Sequence, residues 1–197
     1  MTLSEKKIGI LGLSSVIFLM TALLLFGLTN TNFSFINDFI SKLGAKGEPN
    51  AFWFNITGFV LVGLLLFAFG LAYGKMLKDK LLSILLSLFG IGFALTAIPM
   101  DMELSRTPVS KAHIVAICLG LACWMFGLSR LGYNKQLKRH IRLRANITAT
   151  ILMLSMIGFV LELWSMPIAH RLVFGIVFGW TGITSIELIS KPKAVAN

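Results

Sequence analysis

Apolar residues along this chain gather in six long runs, each with few or no charges inside it. Crossing about 30 Å of hydrocarbon takes about 20 mostly apolar residues in a helix. The runs that meet this requirement are Ile8 to Leu28, Ala51 to Tyr73, Lys80 to Ile98, Ala112 to Leu131, Asn146 to Trp164 and His170 to Ser190. Short connections join the second run to the sixth, which leaves no space for a soluble domain of ordinary size. Residues 1–197 therefore read as one transmembrane domain. The first run follows Lys6 and Lys7 as a signal peptide would, but no small-residue cleavage pattern follows it, so a retained helix is expected.

The polar connections carry their own pattern. In the long first loop, Thr29 to Asn50, Ile36, Phe39, Ile40 and Leu43 recur at helical spacing, with Asn37, Asp38, Ser41 and Lys42 on the other face. Gly44 fits a helix stop. This predicts a short amphipathic helix on the outer membrane surface, serving as an anchor or as a cover over whatever opens beneath it. Pro99 and Pro108 bracket the second outer loop, and Pro167 marks the tight third one.

Composition sharpens the picture. Of 197 residues, 56% are hydrophobic and 13% charged, and the mean hydropathy is +0.85. A soluble domain has about a quarter of its residues charged and could not hide so much apolar surface. Disorder is excluded on the same numbers. The net charge of +10 could suggest nucleic acid, but the bases do not line a polar face. With the N-terminus inside, Lys6, Lys7, Lys75, Lys78, Lys80, Arg130, the run from Lys135 to Arg144, Lys191 and Lys193 fall on the inner side. Only Lys42, Lys46, Arg106, Lys111 and Arg171 fall outside. Basic residues are retained in the cytoplasm, so the charge is a topology signal, with no nucleic-acid partner expected. The basic run would also meet anionic headgroups at about 1 kcal/mol per close residue. The expected fold is an all-α polytopic integral membrane six-helix bundle of the bacterial inner membrane, with both termini cytoplasmic. Trp53 and Trp164 at outer ends, and Tyr73 and Tyr133 at inner ends, are placed as an interfacial belt.

Helices in lipid associate where small residues let backbones approach. Such stripes run through Ser83, Ser87, Gly90, Ala94 and Ala97 towards Asp101; through His113, Ala116, Gly120, Cys123 and Gly127 to Arg130; and through Ser155 and Gly158 to Glu162. The sixth span adds Arg171, Gly175, Gly179 and Gly182, and the second Asn55, Phe59, Gly63, Phe67 and Gly70. If the stripes face one another, Asn55, Asp101, His113, Glu162 and Arg171 meet in an inward pocket at the outer end, with Arg171 pairing Asp101 or Glu162. Ionisable groups at that depth usually face a partner or a wet cavity. Solvated helix ends would be the plainer meaning. On the inner side Arg130 and Glu187 point to structural ion pairing. Gly63, Gly70 and Gly74 would serve a homodimer or packing within one chain equally well.

Few chemical motifs survive testing. No HExxH or HxxxH is present, so no cofactor is expected; the alternative is a divalent metal such as zinc on His113, His170 and a carboxylate such as Asp101. Haem would need histidines facing each other across the bundle, and His170 stands one residue off its stripe. Schiff-base chemistry finds no lysine in mid-span. Ser41, Ser105 and Ser110 lack the turn of a serine nucleophile that His113 would activate. Cys118 and Cys123 share one span on different faces and read as packing residues.

Several short segments, taken in order, carry a family likeness: Ile40-Ser41-Lys42-Leu43-Gly44, Phe54-Asn55, Ile98-Pro99-Met100-Asp101, His113, and Arg171 with Trp180. In these the chain resembles the bacterial domain-of-unknown-function family nine-nine-eight across most of its length. The resemblance implies a six-helix integral membrane protein and favours Asp101, His113, Asn55 and Arg171 as a shared polar set; it implies no reaction. A more distant likeness to seven-helix hydrolases of the alkaline ceramidase type breaks down on helix count and paired histidines. The leading functional expectation is binding or transport of a small polar solute or lipid headgroup in the outer pocket. The alternatives are a metal-dependent lipid hydrolase and a structural membrane protein with no ligand.

Overall fold

A computed structural model describes residues 3–101 and 107–190, so Glu103, Ser105, Arg106, Lys191 and Lys193 lie outside the described residues. The described chain is helical, with no strand. Six long helices follow one another: α1 (Glu5–Thr29), α2 (Ala51–Met76), α3 (Lys80–Leu95), α4 (Pro108–Tyr133), α5 (Arg139–Val160) and α6 (Met166–Ser190). Five of them are long and apolar enough to cross a membrane, and α3 is a shorter apolar helix of 16 residues. Bonds from Thr96, Ala97 and Ile98 to carbonyls three residues back tighten the chain beyond α3.

The ends of these helices follow from local chemistry. Asp79 caps α3 by accepting from Leu82 N–H at 3.0 Å, and Thr107 caps α4 with Pro108 at its first position. α5 starts seven residues before its apolar run, because Arg139, Arg142 and Arg144 coil into its first turns while their heads stay polar. Two helices stop on a left-handed residue that is not glycine, Lys78 (φ 54°) after α2 and Glu162 (φ 58°) after α5. In both, the next residue donates to a carbonyl five back, Asp79 to Gly74 and Leu163 to Gly158, which closes the terminal turn.

Each helix packs on its neighbours in sequence, and α6 returns onto α1, so the six close into a ring. The α2–α3 contact is the most extensive. A Cβ added to Gly63 would lie 2.5 Å from Ala94 N, and one on Gly70 would lie 2.6 Å from the Leu86 carbonyl carbon. Gly74 meets Ser83 in the same way. Here the Ser83 and Ser87 hydroxyls donate across to the carbonyls of Leu71 (2.8 Å) and Phe67 (3.3 Å). These three glycines are therefore occupied within the chain rather than offered to a second copy. On α6 the reverse holds: Gly175 and Gly179 have nothing within 4 Å.

Aromatic rings fill the middle of the ring. Trp180 meets Trp124 edge-on at 5.9 Å and Tyr73 at 6.1 Å, and Tyr73 stacks on Phe69 at 5.4 Å. Phe93 joins Phe178 at 5.4 Å. Tyr73, expected at the interface, is thus a core residue, whereas Trp53 and Tyr133 are exposed as a belt requires. The first loop departs from its expected form as well. In place of an amphipathic surface helix it makes a five-residue 3₁₀ turn, Ile40–Gly44, in which Ile40, Ser41, Leu43 and Gly44 are all buried. Ile36 stays outside and exposed. Gly44 ends no α-helix; its lack of a side chain lets Asn55 reach the loop, since a Cβ there would collide with the Asn55 amide.

Candidate functional site

Beneath this loop the helices stand apart and leave a cavity of about 350 Å³. Phe39 and Ser41 of the loop roof it, α3 contributes Phe89 and Phe93, and α4, α5 and α6 form its walls. On α4 the lining runs from His113 to Leu121, roughly 12 Å of depth, and on α6 from Met166 to Phe178. The volume lies in the range of small-molecule sites, about 300–1,000 Å³. Its lining is almost wholly hydrocarbon, aromatic ring or thioether. The three polar exceptions that bear on recognition, Ser41, His113 and His170, all belong to the loop end.

His113 sits in the first turns of α4, 6% exposed, with Nδ1 3.0 Å from the Ile98 carbonyl. A carbonyl only accepts, so Nδ1 carries the proton and the neutral ring presents Nε2 as an acceptor. This bond also satisfies a carbonyl in the turn following α3. His170 lies edge-on to Phe39 at 5.7 Å and 4.7 Å from the ring of Phe174, and its buried Nδ1 has no hydrogen-bond partner among the described residues. Two imidazoles thus line one apolar hollow. Among the described residues no three His, Cys, Asp or Glu side chains stand close enough together to hold a metal ion.

The other residues of the expected outer cluster are dispersed around this cavity rather than inside it. Asn55 opens a wide π turn in α2, Asn55–Val60, and donates to the Gly44 carbonyl at 2.9 Å. It anchors the loop. Asp101 lies 3.9 Å from Lys46 Nζ, and its N–H donates to Ser110 Oγ. The Ser110 hydroxyl is thereby part of the cap of α4. Arg171 pairs with neither Asp101 nor Glu162. Its guanidinium donates instead to backbone carbonyls of the first loop, Asp38 at 2.5 Å and Ser34 and Ile36 at 3.3 Å, and to Pro167 at 3.0 Å. Glu162 is exposed in the left-handed turn after α5 and points no carboxylate into the bundle.

Missed in the sequence was the degree to which the loop is built as a lid. Asp38 Oδ2 accepts from Ser34 N–H at 2.8 Å and from Lys42 Nζ at 2.9 Å. Partial burial raises the Asp38 pKa, but the Ser34 N–H, Lys42 and the nearby Arg171 outweigh it and hold the carboxyl below its usual value. Lys46 N–H donates to the Met100 carbonyl, and Asn30 to Glu48, fastening the loop at both flanks. Cys118, expected as a packing residue, is exposed and lines the cavity.

At the other end of the ring, Arg130 and Glu187 do form ion pairs. Arg130 Nε lies 2.7 and 2.6 Å from the two Asp79 oxygens, and Glu187 joins Arg144 at 2.6 Å and His140 at 2.7 Å. Burial raises the Asp79 pKa, but the Leu82 N–H and Arg130 overcome it and leave the carboxyl below its usual value.

A chain of long apolar helices around one apolar cavity is a multi-pass helical membrane protein. Residues 13–187 match the family described as Protein of unknown function (DUF998), and the chain belongs to that family. No curated protein and no solved structure matches it.

Proposed function

We propose that this protein binds an amphiphile, a lipid or lipid-like molecule, from the outer leaflet of the bacterial inner membrane. One hydrocarbon chain enters the cavity, and the polar group rests at the rim by Ser41, His113 and His170. The observation that carries this reading is the pairing of an apolar interior with polar side chains at one end only, the polarity pattern of an amphiphile. In this reading all six helices span and the N-terminus is cytoplasmic, as the charge distribution favours. The tightened turns up to Ile98 extend α3 to the roughly 30 Å that hydrocarbon requires.

Two features favour this over the small polar solute, one of the two ligands expected from sequence beside a lipid headgroup. Of the five expected ligand-binding residues, only His113 lines the cavity. The exposed flanks of Ile114, Met156 and Met166 open it sideways, where a bilayer would present acyl chains. Beneath the cavity Phe93, Trp124, Phe178 and Trp180 close the centre of the ring, which favours holding a ligand over passing it through.

The test is lipid retention. Protein extracted in mild detergent and examined by native mass spectrometry carries a bound amphiphile in the wild type. Ala169→Trp, which fills the cavity from a buried wall position, loses it, and His113→Ala lowers retention by removing the Nε2 acceptor, together with a fall in melting temperature from the lost bond to the Ile98 carbonyl. Equal retention in the wild type and both variants overturns the reading.

A further inference from the structure

The opposite end of the ring contains a second hollow, of about 230 Å³, walled by Tyr73, Gln136, Lys138, Arg144, Thr184 and Glu187. Unlike the first it mixes hydrogen-bonding and charged groups with apolar wall from Leu77, Leu137, Ile141 and Leu188, and most of the polar groups can be accounted for. Both Glu187 oxygens are engaged, one accepting from Arg144 Nη1 at 2.6 Å and the other lying 2.7 Å from His140 Nε2. What remains is unusual. Arg144 Nε is buried, can only donate, and has no acceptor among the described residues. Thr184 is 1% exposed, and its hydroxyl likewise has no partner among them. An unmatched buried donor costs about 1–3 kcal/mol, so two of them on one wall describe the complement they lack: an acceptor.

Charge points the same way. Lys138 stands at the N-cap of the 22-residue α5, whose first turn no side chain caps. A helix N-terminus carries about half a positive charge and presents N–H groups to an anion. Lys138 and Arg144 balance Glu5 and Glu187 on the wall, and the helix end tips the field positive. We propose that this hollow is a binding site for a phosphate-class oxyanion, its oxygens accepting from Arg144 Nε–H and the Thr184 hydroxyl and facing Lys138. The source is either a phospholipid headgroup of the adjoining leaflet or free phosphate. The site is independent of the cavity under the first loop.

The decisive variant is Thr184→Val, which removes one hydroxyl and keeps the shape. Because that hydroxyl is buried without a partner in the unliganded protein, its loss does not lower the melting temperature and is expected to raise it. It weakens anion binding about tenfold, the size of one hydrogen bond to a charged group. Lys138→Gln, at the helix end, weakens it in the same direction and serves where Thr184→Val folds poorly. Two probes separate the sources. Saturable stabilisation of detergent-solubilised protein by inorganic phosphate, weakened in the variants, identifies a free anion. Retention of added phosphatidylglycerol in native mass spectrometry, weakened in the variants without a response to phosphate, identifies a headgroup. Saturable binding of neither probe, or equal binding to wild type and variants, overturns the proposal.

Discussion

The α2–α3 hairpin and the α5–α6 hairpin are built from similarly apolar sequence, yet one is welded and the other is loose. In the first, Gly63, Gly70 and Gly74 bring backbones into contact and two serines bond across the seam. In the second, Gly175 and Gly179 face away from any neighbour, and the walls part around a cavity. Hydrophobicity cannot separate these cases, since lipid is as apolar as a leucine and gives helices no reason to associate. Fit decides it. Where small residues face each other the backbones close up; where bulky side chains such as Met156, Phe159 and Met166 line the gap, space is left over.

The comparison is broken most severely by putting bulk into the seam. Gly70→Leu should cost about 3 kcal/mol or more, because the new side chain meets the backbone of α3 rather than a movable side chain. Denaturation in mixed micelles measures this. The matched change on the loose side, Gly175→Leu, should stay within about 0.5 kcal/mol of wild type; equal losses would mean that the two hairpins do not differ.

A smaller effect belongs to the turn that ends the tight hairpin. Asp79→Ala should cost about 1–2 kcal/mol through the lost N-cap and the bond to Arg130. Its sign with pH follows from linkage. The carboxyl titrates lower in the folded protein than in the unfolded chain, so its contribution is complete above the usual aspartate range. It fades as pH falls through the lowered value. Melting temperatures of the wild type should therefore drop in acid more steeply than those of Asp79→Ala; parallel curves would remove Asp79 from the account.

The least change is expected in the turn of the loose hairpin. Glu162 holds a left-handed conformation that costs a side-chain-bearing residue about 1 kcal/mol, so Glu162→Gly should stabilise the protein by up to that amount. A loss of stability, or of retained amphiphile, would return Glu162 to the candidate site.

How much of this was legible in the chain depends on the interaction. The six helices were legible because each is a long uninterrupted apolar run. The seam was legible only by half: Ser83, Ser87 and Gly90 recur at helical spacing, but the pattern leaves Gly63, Gly70 and Gly74 equally suited to a second copy, and only packing assigns them to α3. Arg171, expected in the pocket beside an acid, instead fastens the first loop; its partners leave no trace in the pattern because they are backbone carbonyls and a ledger of charges records only side chains. Glu162 is hidden for a related reason: without glycine in the turn, nothing signals a left-handed residue there, and the spacing of Ser155 and Gly158 carries the stripe on to it. The cavity left no mark at all. In a chain this apolar, the residues that line a hollow are of the same kind as those that fill a core, and only packing tells them apart.

A ring closed by its last member imposes an order on biogenesis. α1 leaves the ribosome first, yet the surface it presents at Gly9 and Gly12 is designed for Ser185 and its neighbours near the end of α6. Throughout synthesis that surface must wait in the translocon or against lipid, so a stalled or shortened nascent chain lacking α6 should be recognised as orphaned and degraded.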